Sequence, residues 1–363
     1  MIYIAWLIII FTALQLSVAI VNLITRPRLR SAGLISDHPL VSVLIPVRDE
    51  EETIGVALDS IMNQDYKNIE VIVFDDESGD NTAKIVGEYS GRYPSIKLYR
   101  SLGLPEGWLG KTRACHSLSM IAGGEYLLFI DADTRISGHA ITRALSYARI
   151  HSLGLLSVFP GQDIRSAGEW FTVPVMNYIL LSLLPLVLVR RSSYSSVAAA
   201  NGQFMFFNAA RYRDLMPHAM LKNNRVEDIA MARLFKKKNI PVACLTGDAE
   251  IRCRMYDSFT SAVNGFSKNV TAFFGDSFIL AFLFWIVTTV GFIPVMLSMT
   301  VGYLFVYTCM YISTRVIISF ISQQNAFLNL VCIIPQQFAT GMIIAKAFLN
   351  NIFKSYQWKG RHI

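Results

Sequence analysis

Residues 103–134, GLPEGWLGKTRACHSLSMIAGGEYLLFIDADT, decide how the rest of the chain is read. A loop broken by glycine and proline carries Trp108, Lys111 and Arg113, and a helix is expected over roughly 112–122. After Gly123 and Gly124 comes a short apolar run, 126–130, that stops at Asp131-Ala132-Asp133. Short, apolar and bounded by turn residues, the run reads as a buried strand. Side chains alternate along an extended chain, so Asp131 and Asp133 face the same way at its end. Two carboxylates on one side of a strand end suit a hard divalent cation completed by water and substrate phosphates. Lys111 and Arg113 supply positive charge for the same phosphates. Taken alone, a D-x-D string is equally an acidic turn that caps a strand, so the reading rests on the rest of the chain.

Of the 363 residues 53% are apolar, the mean hydropathy is +0.41 and the net charge is +7. That is too apolar for an ordinary soluble enzyme and too charged in its middle for a pure membrane bundle. One soluble domain with attached membrane segments is the expected compromise. Arg26, Arg28 and Arg30 cluster beside the first apolar segment, which is an orientation signal. No basic stretch is interleaved with aromatics, so nucleic acid is not an expected partner. The five cysteines (Cys115, Cys244, Cys253, Cys309, Cys332) are scattered without C-x-x-C spacing, which supports neither a zinc site nor a disulfide framework.

Residues 1–25 are expected to form an N-terminal transmembrane helix. The run is too long, and lacks the basic start, of a cleaved signal peptide. Residues 40–275 form the expected cytosolic domain, with 169–190 an interfacial helix carrying Pro174 and Pro185. Residues 276–350 are expected to hold C-terminal membrane segments, with 278–299 and 301–320 as spans and 328–349 re-entrant or in-plane. Residues 351–363 form a basic cytosolic tail with Lys354, Lys359 and Arg361. These features predict a multi-pass protein of the cell membrane with a cytoplasmic catalytic domain.

Within 40–275, strands are expected at 40–46, 68–74, 96–99, 126–130, 198–207 and 241–245, alternating with helices, one of them opened by the acidic run 49–53. That alternation predicts an α/β domain with a mostly parallel sheet, whose ligands sit at the carboxyl ends of the strands. Arg48-Asp49-Glu50, Asp75-Asp76 and Asp131-Asp133 each follow a strand, so they should converge on one edge. Gly110-Lys111-Thr112 is not the end of a P-loop, because Pro105 stands where a glycine is required. Neither acidic loop has the spacing of an EF-hand.

The ordered set IPVRDEEETI, VIVFDDESGD, GWLGKTRA, DADT and Glu227-Asp228 resembles the inverting family 2 glycosyltransferases over residues 40–275. Their nucleotide-sugar fold, Rossmann-like, is called GT-A. GWLGKTRACH, LLSVFPGQ, RMY at 254–256, GFSKN at 265–269 and the terminal YQWKGRHI resemble a membrane-bound subgroup. It comprises the 4,4'-diaponeurosporenoate (carotenoid) and the hopene-associated glycosyltransferases. The resemblance implies that Pro46, Arg48 and Glu50 line the nucleotide edge, although Asp49 stands where the family commonly has asparagine. Asp76, beside Asp75, would bond the uracil imide, and Lys111 and Arg113 would face the diphosphate. Asp133 would coordinate Mg2+ or Mn2+ with Asp131 assisting, and Asp228 would be the general base with Glu227 beside it. Trp108, Arg254, Lys268 and Trp358 would reach acceptor or diphosphate. Other roles stay open: Asp49, Asp75 and Asp80 as caps, Glu227-Asp228 as a helix start, Trp108 as packing. His116 and His218 are read as structural. The Q-x-x-R-W motif of processive members is absent, which favours moving a single sugar from a UDP-sugar to a lipid acceptor. A polyprenyl-phosphate glycosyltransferase and a non-catalytic scaffold of the same fold are the alternatives.

Overall fold

The computed structural model describes residues 1–29 and 37–354, and the backbone of 357–358 and 361–362. Arg30, Lys359 and the side chains of Trp358 and Arg361 lie outside the described residues. The chain divides into two compact units. A helical unit comprises Met1–Arg26, Gln162–Leu188 and Met255–Tyr356, and a sheet unit comprises Pro27–Gly161, Val189–Arg254 and Gln357–Ile363.

In the sheet unit the strands are β1 (Val41–Val47), β2 (Ile69–Asp75), β3 (Ile96–Arg100), β4 (Tyr126–Ile130) and β5 (Thr134–Ile136). They are followed by β6 (Leu155–Phe159), β7 (Gly161–Gln162), β8 (Phe204–Asn208), β9 (Val242–Thr246) and β10 (Ile251–Cys253). Seven of them form one sheet in the order β3-β2-β1-β4-β8-β6-β9. Apart from the exposed edge strand β3, these strands are rich in Val, Ile, Leu and Phe and mostly buried, and read as continuous apolar runs, as central strands do. β1 is parallel to β2 on one side and to β4 on the other, and β2 is parallel to β3. The chain order therefore reverses at β1, and the crevice outside its carboxyl end is where open α/β sheets bind ligands.

β8 is the exception: it runs antiparallel to both β4 and β6, with Phe204 opposite Ile130. Its start therefore lies at the carboxyl end of β4, which brings residues 201–203 to the same edge as Asp131. The strand expected from 198 begins only at Phe204. The reason is local: the Asn201 side chain accepts from the Gln203 N–H (2.8 Å), and the Ser157 hydroxyl holds both the N–H (2.7 Å) and the carbonyl (3.1 Å) of Asn201. An Asn-Gly turn thus takes the place of the ladder.

The helix expected to open with the acidic run 49–53 starts at Ile54. It buries Ile54, Ala57, Leu58 and Ile61, the one-face spacing of an amphipathic helix. The acidic residues instead clasp the loop after β2. Asp49 Oδ1 accepts from Gly79 N (2.7 Å), the Glu51 carboxylate from Asn81 N (2.9 Å), and Asp80 from Glu51 N (3.1 Å) and Thr82 N (2.9 Å). Asp49 and Glu77 both sit at positive φ (52° and 59°), which those interlocked turns impose.

In the helical unit, Ala5 and Ile8 of Ile2–Thr25 cluster with Tyr307 of Val301–Ile321 and with Val295 of Phe292–Ser298, and Trp6 is edge-on to Tyr303. Both helices are long and apolar enough to cross a membrane. The run 278–299 is two helices, Phe278–Val290 and Phe292–Ser298, bent by 51°, so the pair counts as a third span only if it is one broken span. Residues 328–349 fall in Ala326–Val331 and Ile333–Phe353, which do not meet that test. The stretch 169–190 is likewise broken, into Ala167–Leu183 and Leu186–Arg191, at Leu184, which is extended, as the following Pro185 favours. The first of these helices is buried on most of its circumference, as the centre of a bundle is.

Candidate active site

The site is built where β1, β2, β4 and β8 deliver their ends. Asp131, Ala132 and Asp133 form a turn after β4, with Ala132 buried and the two carboxylates half-buried, near enough that the Asp131 charge acts on Asp133. Lys111 lies in the first turn of the Gly110–Ile121 helix. Its ammonium meets both oxygens of Asp131, at 2.7 and 2.9 Å, and lies 3.9 Å from Glu227. Glu227 and Asp228 open the helix Glu227–Lys237. Asp228 accepts from Ile229 N (2.7 Å) and from Gly202 N (3.0 Å), so the turn before β8 and the start of this helix are tied together. A side chain on Gly202 would come within 3.4 Å of the Lys111 nitrogen. Lys111, Asp131, Gly202, Glu227 and Asp228 are therefore one cluster, drawn from four segments of the sequence.

Burial sets the charges here. Burial would lower the Lys111 pKa, but Asp131 and then Glu227 more than offset this and hold the ammonium charged. Burial raises Glu227 to about 7, against the pull of Lys111, and raises Asp228 as well. Asp133 is pushed up to about 7 by burial, then by the negative charges of Asp131 and Glu50, while the buried Cys253 thiol bonds to it and opposes the rise. Gln203 in turn donates from Nε2 to the Cys253 sulfur (2.7 Å), and its main-chain carbonyl accepts from Asp131 N (3.4 Å).

The nucleotide edge expected from the sequence lies across β1 and β2. Asp76 is 1% exposed, its N–H bonded to the Val47 carbonyl (2.9 Å) and its own carbonyl to Arg48 Nη1 (2.5 Å). Asp75 closes a turn by accepting from Ser78 N (3.0 Å). Glu50 bonds Thr53 through its carboxylate (2.9 Å) and Thr82 through its N–H (2.8 Å), and Pro46 is the β1 partner of Phe74. Trp108 stacks on His116 (5.1 Å) with the Arg113 guanidinium over its ring (5.7 Å), so Arg113 is tied to the loop before its helix. His218 is buried against Tyr212 and Phe129, with its pKa pressed down to about 3 by burial; it is a neutral core group.

Arg254 follows β10 in the sheet unit, whereas Lys268 belongs to the helical unit. Trp358 is in a short strand, Gln357–Trp358, and its side chain lies outside the described residues. Asn201, Gly202, Gln203, Ser157 and Cys253 are site neighbours that the sequence reading missed. The Asn-Gly pair at 201–202 is a turn signal that could have flagged the first three; nothing in sequence pairs Ser157 or Cys253 with them.

Asp131 and Asp133 offer hard oxygen donors, but no group of three or more His, Cys, Asp or Glu among the described residues is arranged to hold a metal ion. The donor set fits a cation that takes its remaining ligands from water and a diphosphate, not one held in an all-protein cage.

Comparison with known proteins agrees with this geometry. Residues 42–213 match the family described as glycosyl transferase family 2. The chain is 27% identical over 239 residues to a 4,4'-diaponeurosporenoate glycosyltransferase of Staphylococcus haemolyticus, covering 63% of this chain and 60% of that protein. It is 25% identical over 255 residues to the protein of that name from Staphylococcus aureus (strain USA300), covering 68% of this chain and 64% of the relative. The chain thus spans about three fifths of the length of the curated relatives it matches. In three dimensions it is similar to the mannosyltransferase PcManGT from Pyrobaculum calidifontis, solved in complex with GDP-Man and Mn2+. The TM-score is 0.53 and the identity 15%, over 97% of this chain and 99% of that one. The mixed α/β sheet, with its order reversal at β1, is accordingly the GT-A fold, and residues 42–213 are the stretch that matches the glycosyl transferase family 2 model.

Proposed function

We propose that this chain is a membrane-associated inverting glycosyltransferase that moves one hexose from a UDP-sugar to a lipid acceptor. The observation that carries the reading is the convergence of Lys111, Asp131, Glu227 and Asp228, beside Asp133, at the carboxyl ends of the strands. Asp76, buried at the end of β2, accepts a hydrogen bond from the imide N–H of the base. Lys111 and Arg113 face the diphosphate, and Pro46, Arg48, Glu50 and Asp75 shape the wall behind it. Asp133 with Asp131 would hold Mg2+ or Mn2+, which when bound neutralises charge on the departing nucleoside diphosphate. Asp228 takes the proton of a hydroxyl acceptor, its orientation fixed by the Gly202 and Ile229 N–H groups, and Glu227 keeps Lys111 in place. A carboxylic acid acceptor is already ionised near neutrality and needs no base. The names of the relatives point to such a carotenoid acid. Trp108, Arg254, Lys268 and Trp358 remain candidates for acceptor or diphosphate contact. The helices Ile2–Thr25 and Val301–Ile321 anchor the protein, with the sheet unit on the cytoplasmic side as Arg26 and Arg28 favour.

The test is UDP release by detergent-purified full chain with Mn2+, UDP-glucose and a membrane lipid extract, beside Asp133→Ala. Release that needs lipid and disappears in the variant is expected. Folded protein that neither releases UDP nor binds it with any of several UDP-sugars would overturn the reading.

A further inference from the structure

The helical unit contains one buried cation that this mechanism leaves unused. Arg315 lies in Val301–Ile321, about 9 Å of helix from its end, yet it is 4% exposed and turned into the bundle, not toward the helix end. Its charge is permanent, because a guanidinium does not give up its proton in a protein. Its neighbours are all neutral: Nη1 donates to Gln336 Oε1 (2.9 Å), Nη2 to the Tyr311 hydroxyl (3.1 Å), and the guanidinium lies over the Tyr178 ring at 3.6 Å. Among the described residues it has no carboxylate partner, and its buried Nε–H has no acceptor.

The surroundings are rich in donors and poor in acceptors. The Tyr311 oxygen accepts from both Arg315 and Gln337 Nε2 (3.1 Å), so its own hydroxyl hydrogen points to neither. Arg315 Nε–H is therefore a buried donor, with the half-buried Tyr311 hydroxyl next to it, beside an unneutralised charge in a helix apolar enough for a bilayer. An ionisable group in such a setting is costly and faces a partner or a ligand pathway. A methionine or leucine would pack the same space without that cost.

We propose that Arg315 and Tyr311 form the headgroup site for an anionic lipid, received as a carboxylate or phosphate oxygen at the end of a long apolar chain. Tyr178 and Gln336 are the neutral groups that hold the guanidinium ready. The anion would be that of the acceptor, so this inference rests on the transferase reading for its purpose, though not for its test.

The test uses the full chain in a neutral detergent at about pH 8, without any sugar donor, and follows tryptophan quenching by retinoic acid and by retinol. These probes share a polyene chain and differ in headgroup charge. Wild type should prefer the acid by about tenfold, the worth of a charge-assisted hydrogen bond. Arg315→Gln should lose the preference, and Arg315→Lys should keep part of it. Farnesyl phosphate distinguishes the sources: displacement of retinoic acid assigns a site that takes lipid phosphates, and failure to displace assigns one kept for carboxylates. Equal binding of acid and alcohol by wild type, or an unchanged preference in Arg315→Gln, overturns the proposal. Should Arg315→Gln fail to fold, as judged by lost UDP binding, the wild-type comparison decides alone. Absence of both UDP-sugar turnover and UDP binding, alongside a preference for the acid, would sink the transferase reading and leave the lipid site standing.

Discussion

Replacing Lys111 with methionine removes the one cation that the structure places between Asp131 and Glu227. The lysine makes two contacts to Asp131, at 2.7 and 2.9 Å, with both side chains 25% exposed. A charge-assisted bond of this kind is worth about 1.5–3 kcal/mol, and partial solvent screening brings the expected loss to about 2 kcal/mol. For a unit of this size that corresponds to a fall in Tm of about 4–8 °C. The sign with pH follows from the carboxylates left behind. Without Lys111, which pulls it down, the pKa of Glu227 rises further, and a carboxylate whose folded pKa exceeds its unfolded one destabilises the fold as pH increases between the two. The gap between wild type and Lys111→Met should therefore be full near about pH 8 and narrow toward about pH 5. Thermal unfolding of the full chain in detergent at both pH values reads it directly. A variant melting within about 1 °C of wild type at the higher pH, or a gap that widens on acidification, would refute the reasoning.

Three further outcomes are expected. Glu227 is raised from 4.5 to about 7, so its charge destabilises the fold progressively over that interval. Melting curves should show wild type losing more stability than Glu227→Gln as pH rises through it, and equal losses would count against the placement of Glu227. Asp228→Asn should slow transfer to an alcohol acceptor by about 100- to 10,000-fold, while transfer to a carboxylic acid changes far less; initial rates with matched acceptors decide. Gly124→Ala would drive a Cβ to 2.6 Å from the Ser42 hydroxyl, 2.7 Å from its backbone N and 2.8 Å from the Tyr126 carbonyl. It should cost about 1–3 kcal/mol in denaturant unfolding, because two of the three obstacles are backbone atoms that cannot turn aside.

Much of the sheet was legible because its signal is local. Apolar runs ending in turn residues mark β1, β2 and β4, whereas Asp131 and Asp133 lie in the turn after β4, where the alternation of an extended strand no longer applies. The acidic clusters were legible as clusters but not in their use. Asp49, Glu51, Asp75 and Asp80 spend hydrogen bonds on knitting two loops together, and only the structure separates them from Asp76 and Asp133. The proline at 185 announced a break that hydropathy smoothed over, and Gly291 with Pro294 marks the bend between Phe278–Val290 and Phe292–Ser298 in the same way.

What the sequence determined by itself is whatever depends on neighbours a few residues apart: the strands, the amphipathic helices, the apolar helices and the order of the motifs. What only tertiary structure decided is whatever depends on chain direction and distant pairing. β8 runs against its neighbours, so a turn at 201–203 arrives beside Asp131 and Asp228 although some 70 residues separate it from the first. Lys111 finds its carboxylate across 20 positions, and Arg315 is packed against the neutral groups Tyr178, Tyr311 and Gln336. Hydrophobic patterning specifies which face a residue takes. It does not specify which other face comes to meet it, because burial is non-directional and the pairing is settled by the fold as a whole.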